Sequence, residues 1–391
     1  MSLPPLRTFQ CENFKAIRET RSVKFGWLTA FIGNNGVGKS SLIEALETFR
    51  DVSMSGVDAA FSRWRGFEHV VHKGPERRLL PDEKIRSRFT SPLEWHFTWR
   101  HNGHQMIGHQ IINQGPGGNS LFIQSESLIA RQNGEHFRVE RTDKGQVRYF
   151  PKTTEKTSKL QKPDLADGES IFSRFGKDVF SAWQFLTLNP DRMGQPVPQQ
   201  RAANQVRLAR DGSNVAEYLN EIRRLDLEAF ESLLEALRFV LPYASDLQPV
   251  LTSELERSFY LRLKENTYDV PGWLLSTGTL RIVALLACLR HPTPPPLLVI
   301  EEIENGLDPR TLHLVVEEIR AAITAGTTQV ILTTHAPYLL DLLDLSHIVV
   351  VERENGQPVF HRPDVKELAK WATDFSPGRL YTMGRLTKED R

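Results

Sequence analysis

Gly33-Asn34-Asn35-Gly36-Val37-Gly38-Lys39-Ser40, continued by Ser41, is the stretch that decides the reading. It fits G-x-x-x-x-G-K-[ST], a loop whose glycines let successive backbone N–H groups turn toward phosphate oxygens. Before it, Trp27-Leu28-Thr29-Ala30-Phe31-Ile32 is short, apolar and β-branched enough for a buried strand. After it, Ser41 to Arg50 carries Leu42, Ile43, Leu46 and Phe49 at helical spacing. In that strand, loop and helix context, Lys39 places a cation on the β- and γ-phosphates of a nucleotide. Ser40 offers a hydroxyl to Mg2+, and the helix N-terminus adds its positive end. The competing reading is a chance Gly-rich turn, and the flanking elements argue against it.

The chain has 391 residues, room for two or three domains, and 40% apolar residues, enough for a sizeable core. Its net charge of +1 gives no global field that marks a nucleic-acid or membrane binder, so any such surface must be local. Cys11 and Cys288, both in apolar-patterned segments, read as buried thiols rather than a disulfide or metal framework. Met1 to Gln10 lacks the apolar run of a signal peptide, and no stretch approaches the roughly 20 apolar residues of a membrane span. The expectation is a soluble, cytoplasmic protein.

Along the chain, Arg7 to Cys11 and Arg21 to Phe25 read as strands around Glu12-Asn13-Phe14-Lys15. Phe14 and Lys15 either reach the nucleotide or are a core residue and a solvated lysine. Val52 to Lys73 is irregular, with Trp64-Arg65-Gly66-Phe67 in a loop. Glu94 to Arg100 and His104 to Ile112 flank His101-Asn102-Gly103, a hairpin signal. Turns at Gly115 to Asn119, Asn133-Gly134 and Asp143-Lys144-Gly145 extend it into an antiparallel insertion over about 90–150. His101, His104 and His109 read as surface residues, with no carboxylate or cysteine cluster beside them. Residues 141–162 carry seven basic side chains (Arg141, Lys144, Arg148, Lys152, Lys156, Lys159, Lys162) against Asp143 and Glu155. They form either a phosphate-backbone contact or a solvated linker. Trp183 to Leu188 reads as a strand. Ser213-Asn214 and Asp226 cap two helices, and Ser258 to Lys264 alternates as a half-buried strand.

Leu275-Ser276-Thr277-Gly278-Thr279-Leu280-Arg281 opens a helix, read alone as a Ser cap with a glycine for close packing. Leu297-Leu298-Val299-Ile300 is a buried strand running into Glu301-Glu302. A carboxylate there can hold Mg2+ through water, and a second can orient the attacking water. Asn305-Gly306-Leu307-Asp308-Pro309, a helix over about Arg310 to Ala322, and a strand from Gln329 ending at Thr334-His335 follow. This order of parts resembles the ABC-type ATPases, within them the SMC/RecF group, and most closely the predicted ATPases related to OLD-type proteins. Phe14-Lys15, Asn34-Asn35-Gly36 and Gly278-Thr279-Leu280-Arg281 carry the narrower likeness, and the resemblance covers nearly the whole chain.

The resemblance implies an α/β fold: an ABC ATPase head with a mixed β-sheet core, an antiparallel β subdomain and a mostly helical signature lobe. The nucleotide lobe would take residues 1–200 and 290–391, and the signature lobe 201–289. It further implies ATP and Mg2+ held by Gly33, Asn34, Asn35, Gly36, Val37, Gly38, Lys39, Ser40 and Ser41. Glu301 would be the metal-side acid, Glu302 the residue polarising water, and His335 a γ-phosphate contact. Ser276 and Gly278 would reach the nucleotide of a second protomer, making a homodimer, with Asp308 in the loop at that interface. Three departures stand out: Glu301 for the commoner aspartate, Ile303 for a frequent proline, and Asp308 where this branch often has histidine. Of these, the longer side chain at Glu301 would shift the metal, which implies slow turnover. Gln184 and Asn189 are the candidates for a glutamine loop.

The implied function is an ATPase switch regulating a separately encoded effector in antiphage defence or genome maintenance. Nucleic acid is a candidate partner, through residues 141–162, and the tail from Val365 through Trp371, Phe375, Leu380 and Tyr381 is a second candidate surface unless it packs on its own lobe. The rivals are the ATPase subunit of a membrane transporter, a nearly non-hydrolysing scaffold, and an OLD-type nuclease, for which too few residues follow His335.

Overall fold

The computed structural model describes residues 4–73, 91–101, 103–115, 118, 120–132, 135–141, 146–150, 159–160, 165–199, 206–253 and 256–387. The chain divides into two units: Ser2–Trp183 with Val349–Pro363, and Gln184–Ile348 with Asp364–Arg391.

The N-terminal unit holds β1 (Leu6–Phe14), β2 (Ile17–Glu19), β3 (Val23–Lys24), β4 (Leu28–Ile32), α1 (Lys39–Ser62), β5 (Leu93–His101), β6 (His104–Gln114), β7 (Leu121–Gln132), β8 (Glu135–Arg141), β9 (Val147–Phe150) and β10 (Lys159–Leu160). An antiparallel sheet runs β10-β9-β8-β7-β6-β5-β1-β2, with β3 also on β1. The anticipated hairpin is present, with His101 opposite His104, and it continues through β1 instead of standing apart. Asn102, Asn133-Gly134, Asp143-Lys144-Gly145 and part of the Gly115 to Asn119 turn lie outside the described residues. Alternation along β5 buries Leu93, Trp95, Phe97 and Trp99. Phe49 of α1 meets that face, its ring 4.1 Å from Phe97. Phe172 of α2 (Phe172–Phe175), Phe180 of α3 (Lys177–Phe180) and Trp183 close around it. Such aromatic contacts contribute about 0.5–1.5 kcal/mol each beyond area burial.

Two expectations for this unit change. The irregular stretch after Val52 is helix as far as Ser62, with Val52, Val57, Ala60 and Phe61 buried. Gly56, at φ 80, kinks it and disturbs the 3.6-residue period that would have revealed it. Arg141 is no phosphate ligand: it is buried and donates to the Ala166 carbonyl at 3.2 Å and to that of Glu169. Lys144, Lys152, Lys156 and Lys162, with Asp143 and Glu155, lie outside the described residues.

The C-terminal unit opens with β11 (Gln184–Leu186), α4 (Pro190–Met193), β12 (Val197–Pro198), α5 (Val215–Leu225) and α6 (Leu227–Val240). It continues through β13 (Ala244–Leu251), β14 (Ser258–Glu265), β15 (Tyr268–Pro271), α7 (Thr277–Leu289), β16 (Leu297–Ile300), α8 (Pro309–Ala325), β17 (Gln329–Thr334) and α9 (Pro337–Asp341). It ends with α10 (Val365–Ala372) and α11 (Pro377–Thr382). The strands β11, β16 and β17 pair in parallel, each residue of β16 and β17 buried, as strands covered on both faces must be. Asp226 caps α6 by accepting from Ala229 N–H at 3.0 Å. Asn214 instead turns its side chain back, accepting from Ala209 N–H at 2.7 Å and donating to Arg207 O at 2.7 Å. The C-terminal unit also contains an antiparallel sheet of β12, β13, β14 and β15, of which only β14 shows clean alternation in sequence. Pro249 hides β13, which lies at an edge where a missing N–H is tolerated.

Cys11 and Cys288 are buried and free. Burial pushes the Cys288 thiol up to about 12, leaving it an inert core group. In the tail, Leu380 is fully buried on α11, and Gly378 N–H donates to Asp341 Oδ1 at 2.7 Å. That part of the tail packs on its own unit, while Trp371 stays exposed beside Phe375, 6.0 Å between centroids.

The N-terminal unit is completed by β18 (Ile348–Glu354) and β19 (Gln357–His361), an antiparallel pair next to β4 in the order β4-β18-β19.

Candidate functional site

The phosphate-loop motif sits between β4, buried at all five positions, and α1. Gly38 is the N-cap at φ 115, offering no side chain to the first turn. A Cβ there would lie 2.5 Å from Pro358 Cγ, so the chain can take this path only with glycine. Lys39 is buried, and its ammonium folds back over the loop, donating to Gly33 O at 2.7 Å and Asn34 O at 2.9 Å. Asn34, Asn35, Gly36 and Ser40 are exposed, while Val37 and Ser41 are half-buried. The result is a cradle of bare backbone with one cation beneath it and a hydroxyl at its rim, the donor set that an oligophosphate requires. Of the two residues ahead of the loop, Phe14 is a core residue against Trp64. Lys15 pairs with Glu44 at 2.6 Å and lies 3.6 Å from the Trp64 ring centroid.

The paired acids stand at the end of β16. Glu301 Oε1 accepts from Thr187 Oγ1 and from Arg210 Nη2, both at 2.9 Å. Glu302 turns the other way because its φ is 49°, a left-handed conformation that costs a non-glycine residue about 1–3 kcal/mol. Three neighbours hold it there. Its N–H donates to Thr333 Oγ1 at 2.9 Å, its carbonyl accepts from Arg281 Nη2 at 2.8 Å, and its Oε2 accepts from Asn305 Nδ2 at 2.5 Å. Arg281 also reaches Leu188 O at 3.1 Å, and burial pulls its guanidinium below the usual arginine range. His335 is half-buried just past β17, its N–H donating to Glu304 Oε1 at 2.5 Å.

The signature residues have local work as well. Ser276 caps α7, accepting from Thr279 N–H at 3.1 Å, and is exposed. A Cβ on Gly278 would come within 2.5 Å of Gly306 O, so this glycine lets the helix start lie against the acid loop. Asp308 caps α8: Oδ1 accepts from Arg310 N–H at 2.9 Å and Thr311 N–H at 3.1 Å, and Oδ2 from the Thr311 hydroxyl at 2.5 Å. The Thr311 hydroxyl, then the backbone N–H groups, hold its carboxyl below the usual range. Both glutamine-loop candidates are committed locally, Gln184 donating to Leu208 O at 2.7 Å and Asn189 capping α4.

Thr187, Arg210 and Thr333 escape the sequence reading because they belong to no spacing rule; Arg210 meets Glu301 across 91 residues of chain. The histidine reading needs correction too. His109 does have a carboxylate beside it, Glu94, whose Oε1 lies 2.8 Å from His109 Nε2 and 2.7 Å from His96 Nε2. The signal was available, since the hairpin register places His96 opposite His109, and Glu94 is two residues from His96 on the same face.

A family model described as an AAA domain, putative AbiEii toxin, Type IV TA system, matches residues 140–341. The chain belongs to that family. A second model, an AAA ATPase domain, matches residues 6–93. The Nod factor export ATP-binding protein I of Sinorhizobium fredii is 33% identical over 143 residues, 37% of this chain and 38% of that protein. Its counterpart in Bradyrhizobium diazoefficiens is 32% identical over 165 residues, 41% of this chain and 50% of that protein. The chain thus spans half or less of the length of these relatives. Among solved structures, an SMC head bound to the C-terminal winged-helix domain of ScpA superposes with TM-score 0.55 at 13% identity, covering 94% of this chain and all of that one. An SMC head with an extended coiled coil, bound to the C-terminal domain of ScpA derived from Pyrococcus furiosus, gives 0.51 at 13% identity, covering 95% of this chain and 99% of that one. The fold is that of an SMC head, and the two family models that match the chain are both of AAA-type domains, one of them an AAA ATPase domain. Among the described residues no helix is long and apolar enough to cross a membrane.

Proposed function

We propose that this ATPase is a slow nucleotide-driven switch. It binds ATP with Mg2+, closes as a homodimer of heads, and passes that closure to a separately encoded effector in nucleic-acid-linked antiphage defence or genome maintenance. The observation that carries the reading is the left-handed Glu302 at the end of β16, held on three sides with its carboxylate exposed. Strain of this kind persists where the surroundings over-determine it, often at a reacting centre. Lys39 and the backbone from Gly33 to Ser41 bind the phosphates, Glu302 orients and polarises water, and His335 contacts the γ-phosphate. The exposed Ser40 hydroxyl and the Glu301 carboxylate are each hard oxygen donors of the kind Mg2+ takes. When bound, it would neutralise charge on the β- and γ-phosphates. The Arg210 guanidinium on Glu301 competes with that ion, which accords with slow turnover.

Ser276 and Gly278 serve a partner's nucleotide, and Asp308 lies near that contact in addition to its cap. The matching family, described as a putative AbiEii toxin of a Type IV TA system, supports the defence role. The SMC heads bound to ScpA are precedent for a separate protein partner. The Nod factor export relatives favour a second reading, the ATPase subunit of an exporter. Turnover of wild type and Glu302→Gln, with and without DNA or RNA, tests the first reading. Glu302→Gln should retain ATP and lose hydrolysis at least 100-fold. Parental turnover in that variant, or stimulation only by a co-purified membrane protein, would overturn it.

A further inference from the structure

The outward face of the antiparallel sheet carries a cluster that nucleotide chemistry does not use. Residues at even spacing on one strand, and directly opposite on the next, share a face. On this sheet those rules gather Glu94 and His96 of β5 and His109 of β6, with Gln10 opposite His96 and Glu12 opposite Glu94 on β1. The His96 and His109 rings stack 4.2 Å apart at 13°. Both Nε2 atoms converge on Glu94 Oε1, at 2.7 and 2.8 Å, and all three ligating atoms lie within 4.8 Å of one another. The side chains are partly accessible, 24% for Glu94, 44% for His96 and 26% for His109, so an ion can reach them from solvent.

We propose that Glu94, His96 and His109 are the protein ligands of a divalent transition-metal site of the zinc class. Two imidazoles with one carboxylate are a donor set that zinc and its neighbours take, whereas magnesium and calcium prefer oxygen alone. Metal–nitrogen and metal–oxygen bonds of about 2.0–2.2 Å in tetrahedral array set ligand atoms roughly 3.3 Å apart, within the span these atoms occupy. A second observation points the same way. Glu19, Glu12 and Glu94 stand directly opposite one another across β2, β1 and β5, a repulsive row that a cation on Glu94 offsets. Three protein ligands leave a fourth position for water, and the ion pins β5 to β6 through side chains. His101 and His104 at the hairpin end serve as an internal control, being opposite each other without a carboxylate of this group.

The experiment uses the full chain, stripped with a chelator, in magnesium-free and nucleotide-free buffer. Zn2+ is titrated by calorimetry, and Co2+ by its visible absorption. We expect one Zn2+ per chain, a tetrahedral Co2+ spectrum, and at least a tenfold loss of affinity in His96→Ala and in His109→Ala. His101→Ala/His104→Ala should bind as wild type. Circular dichroism and retained ATP binding establish that each variant is folded. Absence of Zn2+ binding in the parent would make the cluster a hydrogen-bonded trio only and overturn the proposal. So would equal binding by a folded His96→Ala/His109→Ala double variant, or binding that follows His101 and His104.

Discussion

Replacing Arg281 by methionine tests how Glu302 is held, because methionine keeps the apolar stem and removes both donors. Arg281, 5% exposed as a residue, donates from its guanidinium to Leu188 O at 3.1 Å and Glu302 O at 2.8 Å. Hydrogen bonds from a charged donor contribute about 1.5–3 kcal/mol each; losing both removes the arginine donor from Leu188 O and leaves Glu302 O with the Asn305 N–H at 3.1 Å. Part of that loss is returned, because the desolvation that lowers the Arg281 pKa is no longer borne. A net destabilisation of about 3 kcal/mol follows, a shift on the order of 1 M in urea midpoint at a slope of about 3 kcal/mol/M. Catalysis should suffer separately. With one of three restraints gone, the left-handed Glu302 backbone can relax, and a loss of about 1.4–2.7 kcal/mol in positioning lowers turnover 10- to 100-fold. ATP affinity, which rests on Lys39 and the loop before it, should hold. Urea titration followed by fluorescence, steady-state turnover below the midpoint and calorimetry with ATP separate these effects. Parental turnover in Arg281→Met, under conditions where Glu302→Gln is inactive, would refute the argument that this anchor positions Glu302.

Lys39→Ala should weaken ATP binding by about 10- to 100-fold, the equivalent of one charged contact, without changing the circular dichroism; unchanged calorimetry would exclude the loop as the phosphate site. Arg210→Ala should lower the Mg2+ concentration giving half-maximal turnover, because Glu301 no longer shares its Oε1 with a guanidinium; a higher requirement would mean that Arg210 assists the ion. Asp308→Ala removes an exposed cap and should cost about 1 kcal/mol at pH 7 in thermal unfolding. The Asp308 carboxyl is held below its unfolded value by Thr311 and backbone N–H groups. Its contribution is therefore complete above the unfolded pKa of about 3.9 and fades as pH falls through the lower folded pKa, so the gap between wild type and variant should close there. A gap independent of pH would place the effect elsewhere.

Local chemistry was legible and long-range chemistry was not. The phosphate loop, the hairpin around His101 to His104 and the Asp226 cap each follow from a few adjacent residues, and each is present. The second half of α1 was hidden because Gly56 breaks the period, and β13 because Pro249 contradicts a strand unless it lies at an edge. Arg141 reads in sequence as one charge in a basic run, yet it is a buried donor to the backbone. Nothing in its neighbours' spacing announces that, since its acceptors at Ala166 and Glu169 lie 25 and 28 residues further along the chain.

The acid loop shows why motif and mechanism separate. Glu301 and Glu302 are adjacent and chemically identical, so sequence can rank them only by order. In the fold they differ because the chain leaves β16 after Ile300 and turns left-handed at Glu302. Glu301 still follows the strand, its N–H bonded to Leu186 O of β11, and its side chain meets Thr187 and Arg210. Glu302 takes the left-handed turn, its N–H captured by Thr333 and its carbonyl by Arg281. One carboxylate is thereby paired with a cation and the other exposed beside the amide of Asn305. A paired acid is suited to exchanging its guanidinium for a metal ion, whereas an exposed acid accepting one neutral hydrogen bond keeps its charge available to water. Under the proposed assignment of Glu301 to the metal ion and Glu302 to water, the difference between the two glutamates traces to Thr187, Arg210 and Thr333, which belong to no motif, and to Arg281 at the end of the signature stretch. Substitutions at Thr187, Arg210 and Thr333 should alter catalysis while every motif remains intact.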